Sequence, residues 1–365
     1  MKKTFLVVAL ALFLIGTLAI ADEAYVIDFT LLSCDISLGT TDKDGNPVND
    51  QNRRTVMDFG RSAGSTWTDD QKSLMKTSLA LANWEVQLNA SARNVSSLSA
   101  SRVIAAPVNT TKHTLSGEEI PVTVPFAGQE IMGVRIVFPT TANNSSARIV
   151  PPYEIPAYEG MVDINDDGTF VVDEDGNYVN TSDVTTTRYE GGYGVVKNVG
   201  AIKSLSVTTL GMDFPHKLYI LLKDTDGIER RYLMGNLKFD GWKELRWNNP
   251  NYITDIRNRE IKIYPIYPRG LPFIKFVGFQ ITRDAADAGG DFVGYFKDVK
   301  VIYDKAQLVT ERDISDEDLW NIVGDREAAK QTLEMTRFGN KQVDRFLERA
   351  KTATEKDFTS SLQAQ

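Results

Sequence analysis

The stretch 218–232, LYILLKDTDGIERRY, constrains the fold more than any other. Apolar and polar residues alternate through 218–222, an Asp-Gly pair follows, and a second extended run closes the segment. Asp-Gly tolerates the positive φ of a tight hairpin turn, so the segment reads as strand, turn, strand. The same grammar recurs along the chain. Asp-Gly steps stand at Asp44-Gly45, Asp167-Gly168, Asp175-Gly176 and Asp226-Gly227. Alternating or β-branched runs occupy 84–88, 134–138, 204–209, 261–264, 273–281 and 295–303. Many short strands separated by turn residues, with little helical periodicity, predict an antiparallel β-sandwich.

The first residues predict export. Lys2 and Lys3 precede an apolar run over 5–15, and Ala19-Ile20-Ala21 offers the small-x-small pattern of a signal peptidase site. The run is shorter than the roughly 20 apolar residues of a membrane span, and no later stretch supplies one, so membrane insertion is not expected. Cleavage after Ala21 leaves 344 of the 365 residues; it removes two lysines and no acid, taking the net charge from −8 to −10. An acidic exported chain is a poor candidate for nucleic acid. Cys34 is the only cysteine, so no internal disulfide can form, and it reads as a small hydrophobe on the first strand of the fold.

The C-terminus changes character. Ser315-Asp316-Glu317-Asp318 is a capping box that predicts a helix running to Phe338. Gly339 reads as its stop and Asn340 as the cap of a second helix to about Lys351, with Val343, Phe346, Leu347 and Ala350 on one side. Residues 352–365 are expected to fray. The chain thus divides into a signal peptide (1–21), a β-sandwich domain (22–310) and a short helical extension with a frayed end (311–365). The helices can pack back onto the sandwich or offer their apolar face to a neighbouring subunit.

Catalytic constellations are sparse. The two histidines, His113 and His216, form no HExxH, and neither a G-x-S-x-G elbow nor a P-loop occurs. A glycosidase-type carboxylate pair needs only two acids, but these acids concentrate in turns, where solvation accounts for them. No catalytic residue, cofactor or metal is assigned. Trp242 and Trp247, followed by Tyr264, Tyr267, Phe273, Phe276 and Phe279, can stack on sugars, anchor an interface or fill the core, the last being the commoner fate. Sequons stand at Asn94, Asn109, Asn143, Asn144 and Asn180.

The segment DINDDGTFVVDE (163–174) has the spacing of an EF-hand calcium loop, with Asp163, Asn165, Asp167 and Glu174 as side-chain ligands and Thr169 offering a carbonyl. Its flanks are Pro-rich before and turn-rich after, not helical. They favour a hairpin with turns at 166–168 and 173–176 and a strand between; a non-EF calcium loop stays open.

Longer motifs carry a family resemblance. Asn83-Trp84-Glu85-Val86-Gln87-Leu88 with Ser91-Ala92-Arg93 resembles the N-terminal signature of the spirochaete periplasmic flagellar filament outer-layer (sheath) protein, the FlaA family. The likeness continues through Gly133-Val134-Arg135-Ile136-Val137-Phe138-Pro139, Val196-Lys197-Asn198-Val199-Gly200, 204–214, 221–232, Gly241-Trp242-Lys243 and the Pro-rich stretch 264–272, nearly to Asp304. The resemblance implies a non-enzymatic structural component that coats the core flagellin filament and influences its stiffness, its shape and cell motility. Its partners would be the core flagellin filament and other sheath subunits, in the periplasm. No contact residues transfer by motif. A weaker resemblance of 218–245 to galactose-binding, carbohydrate-binding-module-like jelly rolls supports the fold and raises an alternative, an exported carbohydrate-binding protein; an exported glycan-active enzyme is a distant third.

Overall fold

The structure, a computed structural model, describes residues 21–33, 54–113, 116–120, 124–161, 163, 171, 173–174, 179, 187–261, 271–306 and 314–363. Residues 1–20, Cys34, Asn165, Asp167, Thr169, Asn180, Tyr264 and Tyr267 lie outside the described residues.

Among the described residues, twelve strands build the sandwich: β1 (Asp22–Asp28), β2 (Glu85–Leu88), β3 (Arg102–Pro107), β4 (Glu130–Phe138), β5 (Ser145–Val150), β6 (Val195–Lys197), β7 (Val199–Met212), β8 (Lys217–Asp224), β9 (Glu229–Asn236), β10 (Asp240–Asn248), β11 (Phe273–Arg283) and β12 (Gly290–Lys305). One sheet runs β10-β7-β12-β4-β3, and the other β9-β8-β11-β5-β2. Each central strand is longer than one neighbour can cover. Strand β12 pairs with β4 near its start and with β1 further on, and β11 pairs with both β5 and β6. All these pairings are antiparallel, as expected for strands joined by hairpins.

Period two sends alternate side chains inward. Leu218, Ile220 and Leu222 of β8 face Leu205 and Val207 of β7 across the core, together with Phe292, Phe296, Val299 and Val301 of β12. An aromatic cluster ties the sheets together. Phe279 of β11 stacks on Phe296 of β12 with centroids 4.6 Å apart, and Phe29, Trp84 and Phe276 meet Phe279 or one another at 5.2–6.2 Å. Trp84 also donates its indole N–H to the Leu79 carbonyl at 2.8 Å, so its one polar atom is satisfied in the core. Phe273, Phe276 and Phe279 are therefore core residues and not a platform. Gly278 at φ 151° lets β11 approach β5, where a Cβ would run into the Ile149 carbonyl.

The helices depart from the sequence expectation in three places. Tyr252–Ile261 is a helix, so the run 261–264 does not begin as a strand; the rest of that run lies outside the described residues. This helix seats against the sheet through Tyr252, whose hydroxyl donates to Asp304 Oδ2 at 2.8 Å. At the C-terminus a five-residue helix (Asp316–Trp320) is followed by one helix of 42 residues, Ile322–Gln363. Gly339 does not stop it and Asn340 does not cap a second one. Gly339 sits where the helix crosses the 3-10 turn Gly60–Ser62: a Cβ there would lie 2.5 Å from Ser62 Cβ and closer still to its Oγ. The glycine serves a close approach between backbones and is not a breaker. Helix also continues through 352–363, where fraying was expected.

Candidate interaction surfaces

With the core filled by aromatics, the features able to meet a partner lie on the sheet faces and on the long helix. Trp242 and Trp247 are five positions apart on β10, an odd spacing that puts them on opposite faces of the sheet. Trp242 is on the outer face, edge-to-face with Phe126 at 4.8 Å, and the Lys297 ammonium lies over the Phe126 ring at 5.2 Å. Trp247 turns inward and packs on Tyr232 at 4.7 Å. The two indoles therefore cannot form one stacking platform.

Lys297 owes its position to a bulge. Between Thr208 and Thr209 the partner on β12 jumps from Asp298 to Phe296, leaving Lys297 as the extra residue. It pairs with the buried Asp298 at 2.7 Å while reaching over Phe126.

The outer face of the second sheet carries a continuous row. Register places Leu233, Tyr219, Gln280, Arg148 and Gln87 side by side on five successive strands. The Arg231 guanidinium lies 4.5 Å from the Tyr219 ring centre, and Arg148 pairs with Glu229. This row of amide, guanidinium and ring edges, with Leu233 exposed beside it, suits a broad polar contact.

The long helix is fastened to the sandwich along its middle. Phe338 packs edge-on against Phe59 and Tyr153, and Phe346 against Phe59 and Trp67, with centroids 5.3–6.4 Å apart. Gln342 and Arg345 both donate to the Pro152 carbonyl. Glu334 accepts from the backbone N–H of Ala157 at 2.9 Å, and the buried Lys275 of β11 bridges Glu334 and Glu154 at 3.0 and 2.9 Å. Burial alone would raise the pKa of Glu154, but the ammonium groups of Lys223 and Lys275 outweigh it and hold the carboxyl at about 2. Of the two readings for the C-terminal helices, packing back onto the sandwich is realised along this middle stretch.

Other residues singled out in the sequence have structural surroundings. His216 precedes β8 and is only 3% exposed, enclosed by the rings of Phe138, Phe214 and Phe292 at 5.0–6.0 Å. Among the described residues neither ring nitrogen finds a hydrogen-bond partner, and burial pushes its pKa down to about 4. His113 lies in a two-residue strand opposite Glu119. A second buried cluster joins Arg188, 3.7 Å from Glu159, to Tyr153 and Tyr189, whose hydroxyls lie 3.2 Å apart. Desolvation raises the pKa of Glu159 against the pull of Arg188. This cluster ties the 54–57 segment to 187–190, since Arg188 donates to the Val56 carbonyl and Arg54 to the Arg188 carbonyl.

In the calcium-like stretch only Asp163 and Glu174 of the four side-chain ligands are described. Backbone hydrogen bonds run from Val171 N to Asp163 O, from Val179 N to Val171 O and from Asp163 N to Val179 O, at 2.9–3.0 Å. Residues eight and sixteen apart are thus brought together. Among the described residues no three His, Cys, Asp or Glu side chains gather to hold a metal ion, and no helix is long and apolar enough to cross a membrane.

Comparison with known proteins identifies the family. The flagellar filament outer layer protein family model matches residues 48–312. The chain is 50% identical over 365 residues to the flagellar filament outer layer protein of Treponema pallidum (strain Nichols), covering 100% of this chain and 98% of that one. It is 39% identical over 364 residues to that of Spirochaeta aurantia, covering 100% and 97%. Among solved structures, a carbohydrate-binding module in complex with β-1,4-galactotriose covers 61% of this chain and 90% of its own, at 12% identity and a TM-score of 0.25. That similarity is too small to argue from, and the fold stands on the two sheets themselves. The match over 48–312 and the full-length identity to the Treponema pallidum protein place the chain in the flagellar filament outer layer protein family.

Proposed function

We propose that this chain is an exported, non-enzymatic subunit of a coat laid over the core flagellin filament of a periplasmic flagellum. The observation that carries the reading is the 50% identity over the whole chain to a protein named for the filament outer layer. Its leader is removed after Ala21, and the mature protein joins the filament in the periplasm, touching core flagellin and other coat subunits. A coat works mechanically. Material added far from the filament axis raises bending stiffness, and uneven coverage biases curvature, so the coat influences filament shape and motility. Each contact needs only modest strength, because repetition along the filament multiplies it. The sugar-binding alternative is less well supported, since Trp242 and Trp247 point to opposite faces of β10.

The test is deletion of the gene followed by electron microscopy of purified periplasmic filaments. Thinner, more flexible or differently curved filaments are expected. Filaments of unchanged diameter and curvature would sink the reading.

A further inference from the structure

Four connections that pass between the sheets gather at one end of the sandwich, around His216. Residues 139–144 lead from β4 to β5, 213–216 from β7 to β8, 237–239 from β9 to β10 and 284–289 from β11 to β12. Their backbones are laced together. Asp213 donates its N–H to the Phe239 carbonyl and Leu237 donates to the His216 carbonyl, each at 2.8 Å. Arg283, buried at the end of β11, donates to the Pro139, Thr141 and Asn143 carbonyls at 2.6–2.9 Å. The Ala285 N–H donates to Asn144 Oδ1 at 3.2 Å.

The imidazole of His216 closes this end from within. Phe138 stacks on it at 5.2 Å, and Phe214 and Phe292 stand at 6.0 and 5.0 Å. Register pairs Lys217 with Thr282, so His216 and Arg283 occupy the next positions on the two neighbouring strands. Two charged groups bear on the ring: Asp287, from the connection after β11, and Arg283. The strands β4 and β12 present the Phe138 and Phe292 rings to it. Asp213 and Lys217 on its own turn, Lys238 on the facing connection, Asp284, and Asp291 at the start of β12 are exposed to water. Arg283 keeps its charge at any pH at which the protein is folded, and carbonyl oxygens solvate it. A proton on His216 therefore sets two cations side by side in a buried site, one of them ringed by phenyl groups. Burial and Arg283 both favour the neutral imidazole, against the pull of Asp287.

We propose that His216 is an acid-sensitive latch on this end of the sandwich. Neutral, the ring fills its cage and the four connections stay laced. Protonated, it leaves the cage for water and carries the turn 213–217 away from 237–239. The Asp213–Phe239 and Leu237–His216 hydrogen bonds then break, and the Phe138 and Phe292 rings are uncovered, while the centres of both sheets stay folded. Opening takes up one proton per chain, at the imidazole, so the closed state prevails above the ordinary histidine range and opening grows as pH falls through it. With the caged ring at about 4 and a solvated one at its ordinary 6.5, the open population rises roughly twentyfold between pH 7 and 5. The latch is a property of the isolated chain and stands apart from the coat reading.

The experiment is amide hydrogen exchange on the full mature chain from pH 7 to 5, with rates corrected for the intrinsic pH dependence of exchange. Protection at Asp213 and Leu237 is expected to fall roughly twentyfold over that range, while Ile220 of β8 and Phe279 of β11 keep theirs. In His216→Phe, whose ring suits an aromatic cage and takes no proton, protection at Asp213 and Leu237 should not depend on pH. The chain has two histidines, so NMR of the imidazoles reads His216 directly in wild type and needs no variant. Its ring should stay neutral in the closed state at pH 5 and gain its proton only as the turn opens. Protection at Asp213 and Leu237 that does not change with pH overturns the proposal. So does an equal fall in His216→Phe, a fall shared by Ile220 and Phe279, which is global unfolding, or an imidazole that titrates at its ordinary value with the turn closed.

Discussion

Substituting Gly339 by alanine sets two effects of opposite sign against each other. In an exposed helix interior, glycine to alanine stabilises by about 1 kcal/mol through backbone entropy. At Gly339 the added methyl would sit 2.5 Å from Ser62 Cβ, which cannot swing away because it is fixed to the turn backbone. Overpacking of this kind costs roughly 1–3 kcal/mol. The helix relieves it only by lifting off, which loosens Phe338 and Phe346 from Phe59. Gly339→Ala should therefore destabilise by about 1–2 kcal/mol in urea unfolding. Beyond the helix's own backbone, the three atoms nearest the position all belong to Ser62, and in a Ser62→Gly background the one that remains is the residue 62 Cα at 4.0 Å, an ordinary contact. There the same substitution should stabilise by up to about 1 kcal/mol, so the double-mutant cycle should show a coupling of about 2–3 kcal/mol. If Gly339→Ala stabilises the parent chain, or if the cycle gives no coupling, the helix does not cross the turn as described.

His216 gives a pH dependence of definite sign. Its folded pKa of about 4 lies below the ordinary 6.5, so the unfolded chain binds more protons between these values. Stability should be complete above pH 6.5 and fall by about 3 kcal/mol toward pH 4, and His216→Phe should remove that part of the slope in urea unfolding across pH. Glu154, held at about 2, acts at lower pH: its contribution is present above pH 4.5 and fades as pH drops toward 2, and Glu154→Gln should flatten unfolding curves in that window. Phe279→Ala, which empties the contact between the sheets at Phe296, should cost about 3–5 kcal/mol by the same assay, and a loss under 1 kcal/mol would mean the aromatic cluster does not hold the sheets together.

The strands were legible because their side-chain period survives burial: 204–209, 218–222, 273–281 and 295–303 all fall within strands. The opposite orientation of Trp242 and Trp247 was also available, since five is odd and β10 is a strand. Two features were hidden for physical reasons. Gly339 looks like a helix stop because local propensity sees only the entropy of glycine, whereas its role depends on Ser62, 277 positions away in sequence. The helix Tyr252–Ile261 has little apolar periodicity of its own; it is held by tertiary contacts such as Tyr252 to Asp304, which no local pattern announces. The polar row on the second sheet needs the register of five strands, and register is set by the assembled fold.

A coat subunit must reside on the filament surface. The most direct test is to purify periplasmic filaments from the source organism and measure, by quantitative mass spectrometry, how much of this protein sediments with them. The account predicts recovery in the filament fraction in amounts comparable with the core flagellins. Recovery in the soluble periplasmic fraction, with filaments free of it, would contradict the account.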